Sequence, residues 1–392
     1  MYDVVIVGAT RTPHGLYHGK LARLSAPELG SVSVRALLSV VPYAPEKINS
    51  LIMGSVLQAG QGQSPARQVA LKSNLPESIH TFTVNKVCGS GMQAIVSGMQ
   101  EIQTGASKAV IAGGMESMSR APLLIKKASK KDDISEEALG DHMMLDGLED
   151  AYQKNTPMGV FAEETAAKYQ FTREAQDKFA TESLEKALKA YKDRAFEPEV
   201  VPIVIQTPNG QAEVHEDENL GRATPEKIKQ LKPVFSPEGT ITAATASGIA
   251  DGASAVFLMQ KEEAEKNDVE IRAIIIATAS HGHAPNEFTT APIHATEKVL
   301  KRAGWSIDDV DLFEVNEAFA VVPMAFMKEL SVKREKINVH GGACAIGHPI
   351  GSSGARVVVT LLNALERYDK KRGIATVCIG GGESLAIAIE RH

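Results

Sequence analysis

Short runs of β-branched and apolar residues alternate along the chain with longer segments whose apolar residues recur at helical spacing. Near the start, this pattern predicts strands at 3–7, 51–53, 82–84 and 109–112 and helices at 26–41 and 92–102. Near the end, it predicts strands at 271–277, 312–315, 337–339 and 374–378 and helices at 295–303, 318–330 and 353–365. Apolar strands alternating with helices are typical of an α/β protein whose sheets are covered by helices.

The two ends of the chain also resemble each other. Residues 109–117 (AVIAGGMES) match residues 375–384 (ATVCIGGGES) once one residue is gapped. Upstream of each match, a predicted strand leads into a glycine turn and then a helix, with Gly89-Ser-Gly91 in one case and Gly351-Ser-Ser-Gly354 in the other. The same order of elements at both ends indicates an internal duplication.

The composition changes between the two similar ends, so residues from about 122 to 250 read as an insertion carried by the first half. It contains a charged, loop-like stretch at 126–137 and helical patterns at 162–169 and 172–191. The second helical pattern places five apolar residues on one face, namely Ala180, Leu184, Ala187, Leu188 and Tyr191.

Charge and composition exclude several classes of protein. The 392 residues include 42 basic and 48 acidic side chains, so no basic excess is present to neutralise nucleic-acid phosphates. No apolar run approaches the roughly 18–20 residues that a membrane helix needs, and the first residues read as a strand rather than a signal peptide. Three cysteines are too few for a disulfide scaffold, so we expect a protein of the reducing cytoplasm.

Cys88 lies at the predicted turn between the strand at 82–84 and the helix at 92–102. The small residues that follow it allow a sharp turn and the close approach of a substrate. A thiol at the start of a helix feels the positive end of the helix dipole, which favours the thiolate. We therefore expect Cys88 to be a nucleophile rather than a small buried apolar residue.

The residues after Cys88 also fit a second hypothesis, from a different mechanistic class. Residues 89–94 (GSGMQA) follow the G-x-G-x-x-G/A pattern of a dinucleotide site, and Glu116 ends the next strand, where an acidic residue would bind a ribose. On this hypothesis the protein is an NAD-dependent Rossmann oxidoreductase. The pattern lies far from the start of the chain, however, and the second glycine turn has no acidic residue at the matching place.

Further candidates lie in the second half. His348 stands between a glycine and a proline, in a loop of tight turns rather than in a helix. Cys378 ends an apolar strand, and the duplication could bring its thiol to face Cys88. Asn316 lies where a strand ends and a helix begins, which is also the position of an N-cap. Cys344 is interpreted as structural, and the three cysteines are spaced too widely for a local metal site.

Taken together, these motifs resemble the thiolase family from one end of the chain to the other. Several separated motifs in the right order are more specific than any one of them. The matching stretches are Arg11-Thr-Pro13, Leu57-Gln-Ala-Gly-Gln-Gly62, Asn85-Lys-Val-Cys-Gly-Ser-Gly91, Gly113-Gly-Met-Glu-Ser-Met118, Asp146-Gly-Leu148, Asp251-Gly-Ala253, Asn316-Glu-Ala-Phe-Ala320, Gly347-His-Pro349 and Cys378-Ile-Gly-Gly-Gly382.

The resemblance implies an α/β fold with two similar βαβαβαββ halves packed as a five-layer α-β-α-β-α sandwich. It implies an N-terminal half at 1–121 and 247–270 and a C-terminal half at 271–392. It also implies an inserted loop domain at 122–246 that binds coenzyme A and makes oligomer contacts, in a homodimer or homotetramer.

The resemblance further implies roles for individual residues. Cys88 resembles the nucleophile that takes the acyl group, and His348 resembles the imidazole that activates it. Cys378 resembles the acid/base for the α-proton of the second acetyl-CoA. Asn316 resembles the residue that holds a water in one oxyanion hole, and the backbone N–H groups of Cys88 and Gly380 would form the other. The coenzyme A site corresponds to Ser247, Leu148, Met158, Arg222 and Phe235.

The implied activity is acetyl transfer between two acetyl-CoA molecules, with coenzyme A and acetyl-CoA as substrates. It implies no tightly bound cofactor, no metal, and no nucleic-acid or membrane partner. On this interpretation, the glycines after Cys88 make room for an acyl chain. A degradative 3-ketoacyl-CoA thiolase remains an alternative, because residues 157–159 (PMG) stand where biosynthetic members usually have His-Met-Gly.

Overall fold

The computed structural model describes residues 1–125, 139–208 and 210–391, so the charged stretch predicted at 126–137 lies outside the described residues. The first elements are β1 (Val4–Arg11), β2 (Gly15–Leu16), α1 (Ala26–Val40), β3 (Ser50–Gly54), α2 (Pro65–Lys72), β4 (His80–Val84), α3 (Ser90–Gln103) and β5 (Ala109–Ser117). The segment that follows contains β6 (Leu123–Ile125), β7 (Leu139–Asp141), α4 (Met158–Tyr169), α5 (Arg173–Lys192), β8 (Ile203–Thr207), β9 (Gly210–Val214) and α6 (Pro225–Ile228).

The remaining elements complete the first part of the fold and then repeat its order. They are β10 (Ala250–Gln260), α7 (Lys261–Lys266), β11 (Ala273–Gly282), α8 (Ala291–Ala303), β12 (Leu312–Val315), α9 (Val321–Leu330), α10 (Ala343–Ile346), α11 (Ile350–Arg367), β13 (Arg372–Ile379) and β14 (Glu383–Glu390).

One mixed sheet of ten strands runs through both halves in the order β12-β13-β14-β11-β1-β10-β5-β3-β4, with β2 beside β10. The halves join where β1 and β11 pair antiparallel, through Val5 with Ile274 and Ile6 with Ala273. In each half a parallel pair, β3 with β5 or β12 with β13, is followed by an antiparallel strand, β10 or β14. The first half thus follows the βαβαβαββ order that the resemblance implies, and the second half follows it except for the third strand.

The strand predicted at 337–339 is wrong. Only a single bridge joins Ile337 to Phe313 of β12. Asn338 has a positive φ of 46°, and its side chain replaces the backbone at the sheet edge. Its Oδ1 accepts from the Val315 N–H at 2.8 Å, and its Nδ2 donates to the Val315 carbonyl at 2.9 Å. An asparagine side chain therefore ends the sheet where the first half has β4.

Three apolar cores define five layers. The central core contains side chains of α3 and α11 together with strands of both halves. The second core packs α1 and α2 against the other face of the first half, and the third packs α8 and α9 against the other face of the second half. This is the predicted α-β-α-β-α sandwich, and α3 and α11 form its middle layer.

The two central helices approach until their backbones touch. A Cβ atom on Gly91 of α3 would lie 2.8 Å from the backbone nitrogen of Ala355, and one on Gly354 of α11 would lie 2.6 Å from that of Met92. Real Cβ atoms do not come this close to backbone atoms, so only glycine fits at either position. The contact fixes the starts of both helices relative to each other.

A buried ionic cluster joins the inserted segment to β1. The fully buried guanidinium of Arg11 pairs with Glu199 at 2.6 Å and with Asp217 at 2.7 Å. Burial of a charge is costly unless it is paired and hydrogen-bonded, so these three side chains depend on one another. In the same segment α5 buries Ala180, Leu184 and Ala187 as predicted, but Leu188 is 46% exposed, and its assignment to the buried face is wrong.

The contact between α3 and α11 predicts that a glycine-to-alanine substitution, which usually stabilises a helix, destabilises this protein. Gly354→Ala should destabilise the protein by about 1–3 kcal/mol because the new methyl group would overlap the α3 backbone, although alanine normally favours a helix over glycine. Thermal and denaturant unfolding would measure the change. The matched control is Gly221→Ala, since no atom lies within 4 Å of a Cβ there, and its stability should change by less than about 0.5 kcal/mol. Equal effects of the two substitutions would contradict the contact.

Candidate active site

Cys88 occupies a strained turn between β4 and α3. The residue before it, Val87, has a positive φ of 47°, which a β-branched side chain rarely adopts. The turn is held by its own polar groups: the Val87 N–H donates to Asn85 Oδ1 at 2.9 Å, and the Lys86 N–H donates to Ser90 Oγ at 2.8 Å. Local hydrogen bonds thus place the thiol at the helix start, where the sequence predicts it.

The protonation state of Cys88 differs from the prediction. Part of the residue remains accessible, yet burial of the sulfur raises the pKa of the thiol to about 11. Hydrogen bonds from the backbone N–H groups of Gly380 and of Cys88 itself oppose this increase without cancelling it. The expectation that the helix start alone would favour the thiolate is therefore wrong, because desolvation outweighs it.

Cys378 brings the second thiol to the same place. It lies near the end of β13 and is buried, with 1% of its surface exposed. Burial and the neighbouring charge of Cys88 both raise the pKa of the Cys378 thiol, while a hydrogen bond from the backbone of Ala318 opposes the increase. An ion pair of 2.5 Å between Lys86 and Glu383 joins the two thiol-bearing turns. The structure thus brings together one thiol from each half.

His348 directly precedes the N-terminal end of α11. Its Nδ1 lies 2.5 Å from Ser353 Oγ, and its Nε2 has no hydrogen-bond partner among the described residues. Burial, followed by the positive charge of Arg356, lowers the pKa of the imidazole to about 3. The ring is therefore neutral near pH 7 and can accept a proton. The first turn of α11 contacts Cys88, since a Cβ on Gly354 would lie 3.3 Å from the Cys88 carbonyl oxygen.

Asn316 directly follows β12 and is fully buried. Its Oδ1 accepts from Arg356 Nη2 at 3.1 Å, which orients the amide so that Nδ2 faces away. That Nδ2 bonds to no group in the described part of the chain. Arg356 in turn pairs with Glu314, so a buried ion pair fixes the direction of a potential hydrogen-bond donor.

Glu116 does not have the role that the dinucleotide hypothesis gives it. Its buried carboxylate accepts backbone hydrogen bonds from Val56 at 3.0 Å, Leu57 at 3.2 Å and Gly351 at 3.0 Å. Burial nevertheless raises the pKa of this carboxyl to about 7. Glu116 therefore holds a loop of the first half against the start of α11 and is not available to a ribose.

The glycines after Cys88 serve packing between the halves. A Cβ on Gly89 would lie 2.4 Å from the side chain of Ile379, and Gly91 is in contact with the backbone of α11. Protein atoms of Ile379 and of α11 fill the space beside these two glycines, so neither pyrophosphate nor an acyl chain would fit there. Both sequence interpretations of this run, the dinucleotide fingerprint and the acyl-chain space, are therefore wrong.

Of the five residues predicted for a coenzyme A site, two lie close to the thiol-bearing turns and two contact residues 318 and 319, next to Cys378. Leu148 belongs to the same apolar cluster as Cys88, and Met158 approaches Gly380. Phe235 stacks edge-on against Phe319, with 5.8 Å between the ring centroids. The Ser247 backbone N–H donates to the Ala318 carbonyl at 2.9 Å. The fifth residue, Arg222, is exposed and lines a cavity of about 140 Å³ that also includes Cys344.

Cys344 lies apart from the other two thiols. Its sulfur is 3.7 Å from the Thr245 carbonyl oxygen and 3.8 Å from that of Glu317. Cys344 lies near the start of α10, and these carbonyl oxygens surround its sulfur. This environment is compatible with the structural role predicted for Cys344.

Sequence reasoning missed the groups that orient the predicted residues. Ser353 and Arg356 lie on buried positions of α11, and Glu314 lies within β12. The available signal was a charged residue inside an apolar segment, such as Glu314 in LFEV or Arg356 in GARVVVTLL. Charges at such positions are rarely buried unless they are paired, so each implies a partner.

Comparison with known proteins places the chain in a family. Residues 4–262 match the profile described as "Thiolase, N-terminal domain", and residues 269–391 match "Thiolase, C-terminal domain". The chain belongs to the thiolase family.

Individual proteins are similar to this thiolase over its full length. An acetyl-CoA acetyltransferase of Allochromatium vinosum is 44% identical over 391 residues, 99% of each chain. A crystal structure of an Ascaris suum thiolase in complex with coenzyme A has a TM-score of 0.93 at 41% identity and full coverage of both chains. Human mitochondrial 3-ketoacyl-CoA thiolase has a TM-score of 0.95 at 36% identity, covering 100% of this chain and 99% of that one. The predicted family and fold are confirmed.

The buried thiol predicts how Cys88 responds to pH. Because burial raises its pKa to about 11, the thiolate fraction should increase about ten-fold per pH unit from pH 7 to pH 10. Alkylation of Cys88 by iodoacetamide, followed by peptide mass spectrometry, should accelerate in parallel. A rate that levels off below pH 8 would instead show that the helix start and the Gly380 N–H outweigh burial.

Proposed function

We propose that this thiolase is an acetyl-CoA C-acetyltransferase, which condenses two acetyl-CoA molecules to acetoacetyl-CoA and coenzyme A and also catalyses the reverse thiolysis. The observation that carries the proposal is the proximity of two free thiols, the half-buried Cys88 and the buried Cys378, one from each half. One thiol can hold the acyl group while the other exchanges a proton. The match to acetyl-CoA acetyltransferases over the whole chain supports the acetyl group as the unit transferred.

In the first half-reaction, the Cys88 sulfur attacks the carbonyl carbon of acetyl-CoA. His348 Nε2 takes the thiol proton, since the ring is neutral, and Ser353 holds Nδ1 so that Nε2 points to the reaction. The sulfur of coenzyme A leaves and takes a proton from water, so that acetyl-Cys88, free coenzyme A and a protonated His348 result. The backbone N–H groups of Cys88 and Gly380 are our assignment for the donors to the carbonyl oxygen.

In the second half-reaction, the Cys378 thiolate removes the α-proton of a second acetyl-CoA. The resulting carbanion attacks the acetyl carbon on Cys88 and expels the Cys88 sulfur, which takes its proton back from His348 as acetoacetyl-CoA is released. The raised pKa of Cys378 makes its thiolate rare but strongly basic, which suits removal of a weakly acidic proton. We assign His348 Nε2 and a water held by Asn316 Nδ2 to the developing enolate oxygen.

We assign coenzyme A binding to Ser247, Leu148, Met158, Arg222 and Phe235. Leu148 and Met158 lie close to the thiol-bearing turns, and Ser247 and Phe235 contact residues 318 and 319. Arg222 would supply a positive charge for a phosphate group of the coenzyme. Within this proposal the domains are an N-terminal half at 1–121 and 247–270, a loop domain at 122–246 and a C-terminal half at 271–392. The reaction needs no metal and no tightly bound cofactor.

We also propose a cytoplasmic homo-oligomer, a dimer or a tetramer, that acts in lipid metabolism. Two catalytic thiols with no disulfide partner suit a reducing compartment. The hairpin of β6 and β7 exposes large apolar side chains that a second copy could cover, namely Leu123, Ile125 and Leu139. Among the described residues, no helix is both long and apolar enough to span a membrane.

One structural observation favours a second candidate, a degradative 3-ketoacyl-CoA thiolase. Pro157 directly precedes α4 and Met158, and it has neither an imidazole nor a backbone N–H to offer a substrate. The similarity to human mitochondrial 3-ketoacyl-CoA thiolase is compatible with this alternative. Loss of one polar contact changes relative binding by only about 1 kcal/mol, so we retain acetyl transfer as the main proposal.

The two thiols should be separable by half-reaction. Wild type incubated with acetyl-CoA and quenched in acid should carry an acetyl group on Cys88. Cys378→Ser should still accept that acetyl group but lose condensation and thiolysis by at least about 100-fold, because only the second step needs the α-proton removed. Peptide mass spectrometry and an acetoacetyl-CoA thiolysis assay without nicotinamide test this. Acetyl on Cys344 or Cys378 with Cys88 unmodified, or equal loss of both half-reactions in a folded variant, would overturn the assignment.

Chain length separates the two candidate activities. The value of kcat/KM for thiolysis should be highest, or within several-fold of the highest, for acetoacetyl-CoA when it is compared with 3-ketohexanoyl-CoA and 3-ketooctanoyl-CoA. A preference for the longer substrates above about 100-fold, nearly 3 kcal/mol, would establish the degradative activity instead. Pro157→His serves as the matched variant and should favour the four-carbon substrate further.

A further inference from the structure

Three histidines converge at the end of β11, on the side covered by α8. His281 lies one residue before the end of β11, His283 follows two residues later, and His294 lies in the first turn of α8. One nitrogen from each ring lies within 4.8 Å of the others, and the ring centroids are 4.6 to 5.9 Å apart. In the described ranges of the chain, no other group of three potential metal-binding side chains meets at such distances.

The hydrogen bonds leave nitrogens of these rings free. His281 Nδ1 and His283 Nε2 are buried and have no partner in the described part of the protein. The ring of His283 forms a hydrogen bond with the backbone of Glu287, and His294 Nδ1 lies 3.0 Å from a carboxylate oxygen of Glu297. Metal-binding histidines usually have this arrangement, in which one ring nitrogen is held by a carbonyl or carboxylate and the other binds the ion.

From this geometry we infer that His281, His283 and His294 form a binding site for a divalent transition-metal ion of the zinc type. Imidazole is a ligand suited to Zn²⁺, Cu²⁺ and Ni²⁺, whereas Mg²⁺ and Ca²⁺ prefer oxygen. Three imidazoles would leave the fourth position of a tetrahedral ion to a water. The site is separate from the thiols and does not depend on the proposed acyl transfer.

The surroundings keep the rings in the state that binds metal. Burial lowers the pKa of both His281 and His283, so these imidazoles are neutral near pH 7. Two lysines face the cluster, but both are engaged elsewhere: Lys298 donates to the Ser280 carbonyl at 3.2 Å, and Lys168 pairs with Glu287 at 2.8 Å. The carboxylates of Glu297 and Glu287 offset their charges.

Binding would draw the rings together by a modest amount. Zinc–nitrogen bonds of about 2.0–2.1 Å place two tetrahedral ligand nitrogens roughly 3.4 Å apart. Compared with the 4.8 Å limit in the structure, closure needs movements of the order of 1 Å at each ring. The partly exposed rings can supply this by rotation about their side-chain bonds.

The ion would connect β11 and the residues just after it to α8, near the active site. The backbone N–H of His283 donates to the Gly382 carbonyl at 2.9 Å, and the backbone of His281 pairs with Ser384 of β14. An ion on these histidines would therefore tie β11 to α8 next to the glycine turn that follows Cys378. We expect it to stabilise this corner of the fold rather than to take part in acyl transfer.

Equilibrium dialysis of the metal-free full-length protein against ZnCl₂ tests the site. Wild type should bind one equivalent at this site and show a concentration-dependent increase in Tm. His294→Gln retains a polar partner for Glu297 but removes a ligand nitrogen, and it should weaken binding by more than about 100-fold. The matched control is His215→Gln, an exposed histidine outside the cluster, which should leave binding unchanged.

Co²⁺ distinguishes this site from the cysteines, which could also bind Zn²⁺. Cobalt on the three imidazoles should give visible d–d absorption without the near-ultraviolet band of a thiolate ligand. That absorption should disappear in His294→Gln and persist in Cys88→Ser. Full Zn²⁺ affinity in His294→Gln, or loss of the bound ion in Cys88→Ser, would overturn the inference.

Discussion

Backbone contact between α3 and α11 is the constraint on which the rest of the structure depends. These two helices form the central layer and begin at the two places where the chemistry is concentrated, directly after Cys88 and His348. Glycines at 91 and 354 allow the helix axes to come close enough for one start to touch the other. The positions of nucleophile and imidazole therefore follow from helix packing, not from a flexible loop.

Burial then determines the electrostatics of the site. It raises the pKa of Cys88 and of Cys378 and lowers that of His348, so all three groups are neutral at rest. Arg356 and Glu314 are both buried and pair with each other, and Arg356 also orients Asn316. In a neutral site of this kind, protons move between the catalytic groups only during the reaction, and these groups form no ion pair before it.

Local patterns predicted the elements with a clear period and the residues at strand–helix junctions, such as Cys88 and Asn316. They missed β10 and β14. β10 begins with small and polar residues that lie in the buried core, and β14 was hidden by the glycine run before it. The partners that orient Asn316, Arg356 above all, come from tertiary contacts that no local spacing encodes. The direction of the Cys88 pKa shift was wrong for the same reason, because desolvation depends on the second half of the chain.

The left-handed backbone at Val87 limits the transfer of the Cys88 turn to other proteins. A β-branched residue in that conformation carries a strain of about 1–3 kcal/mol, which must be offset by surrounding contacts. Here those contacts include the second half, through Ile379 against Gly89 and Glu383 against Lys86. The heptapeptide Asn85–Gly91, grafted alone onto another α/β sheet, would relax to an ordinary turn. The graft would keep the amino-acid sequence of the turn but would not keep the orientation of the cysteine sulfur.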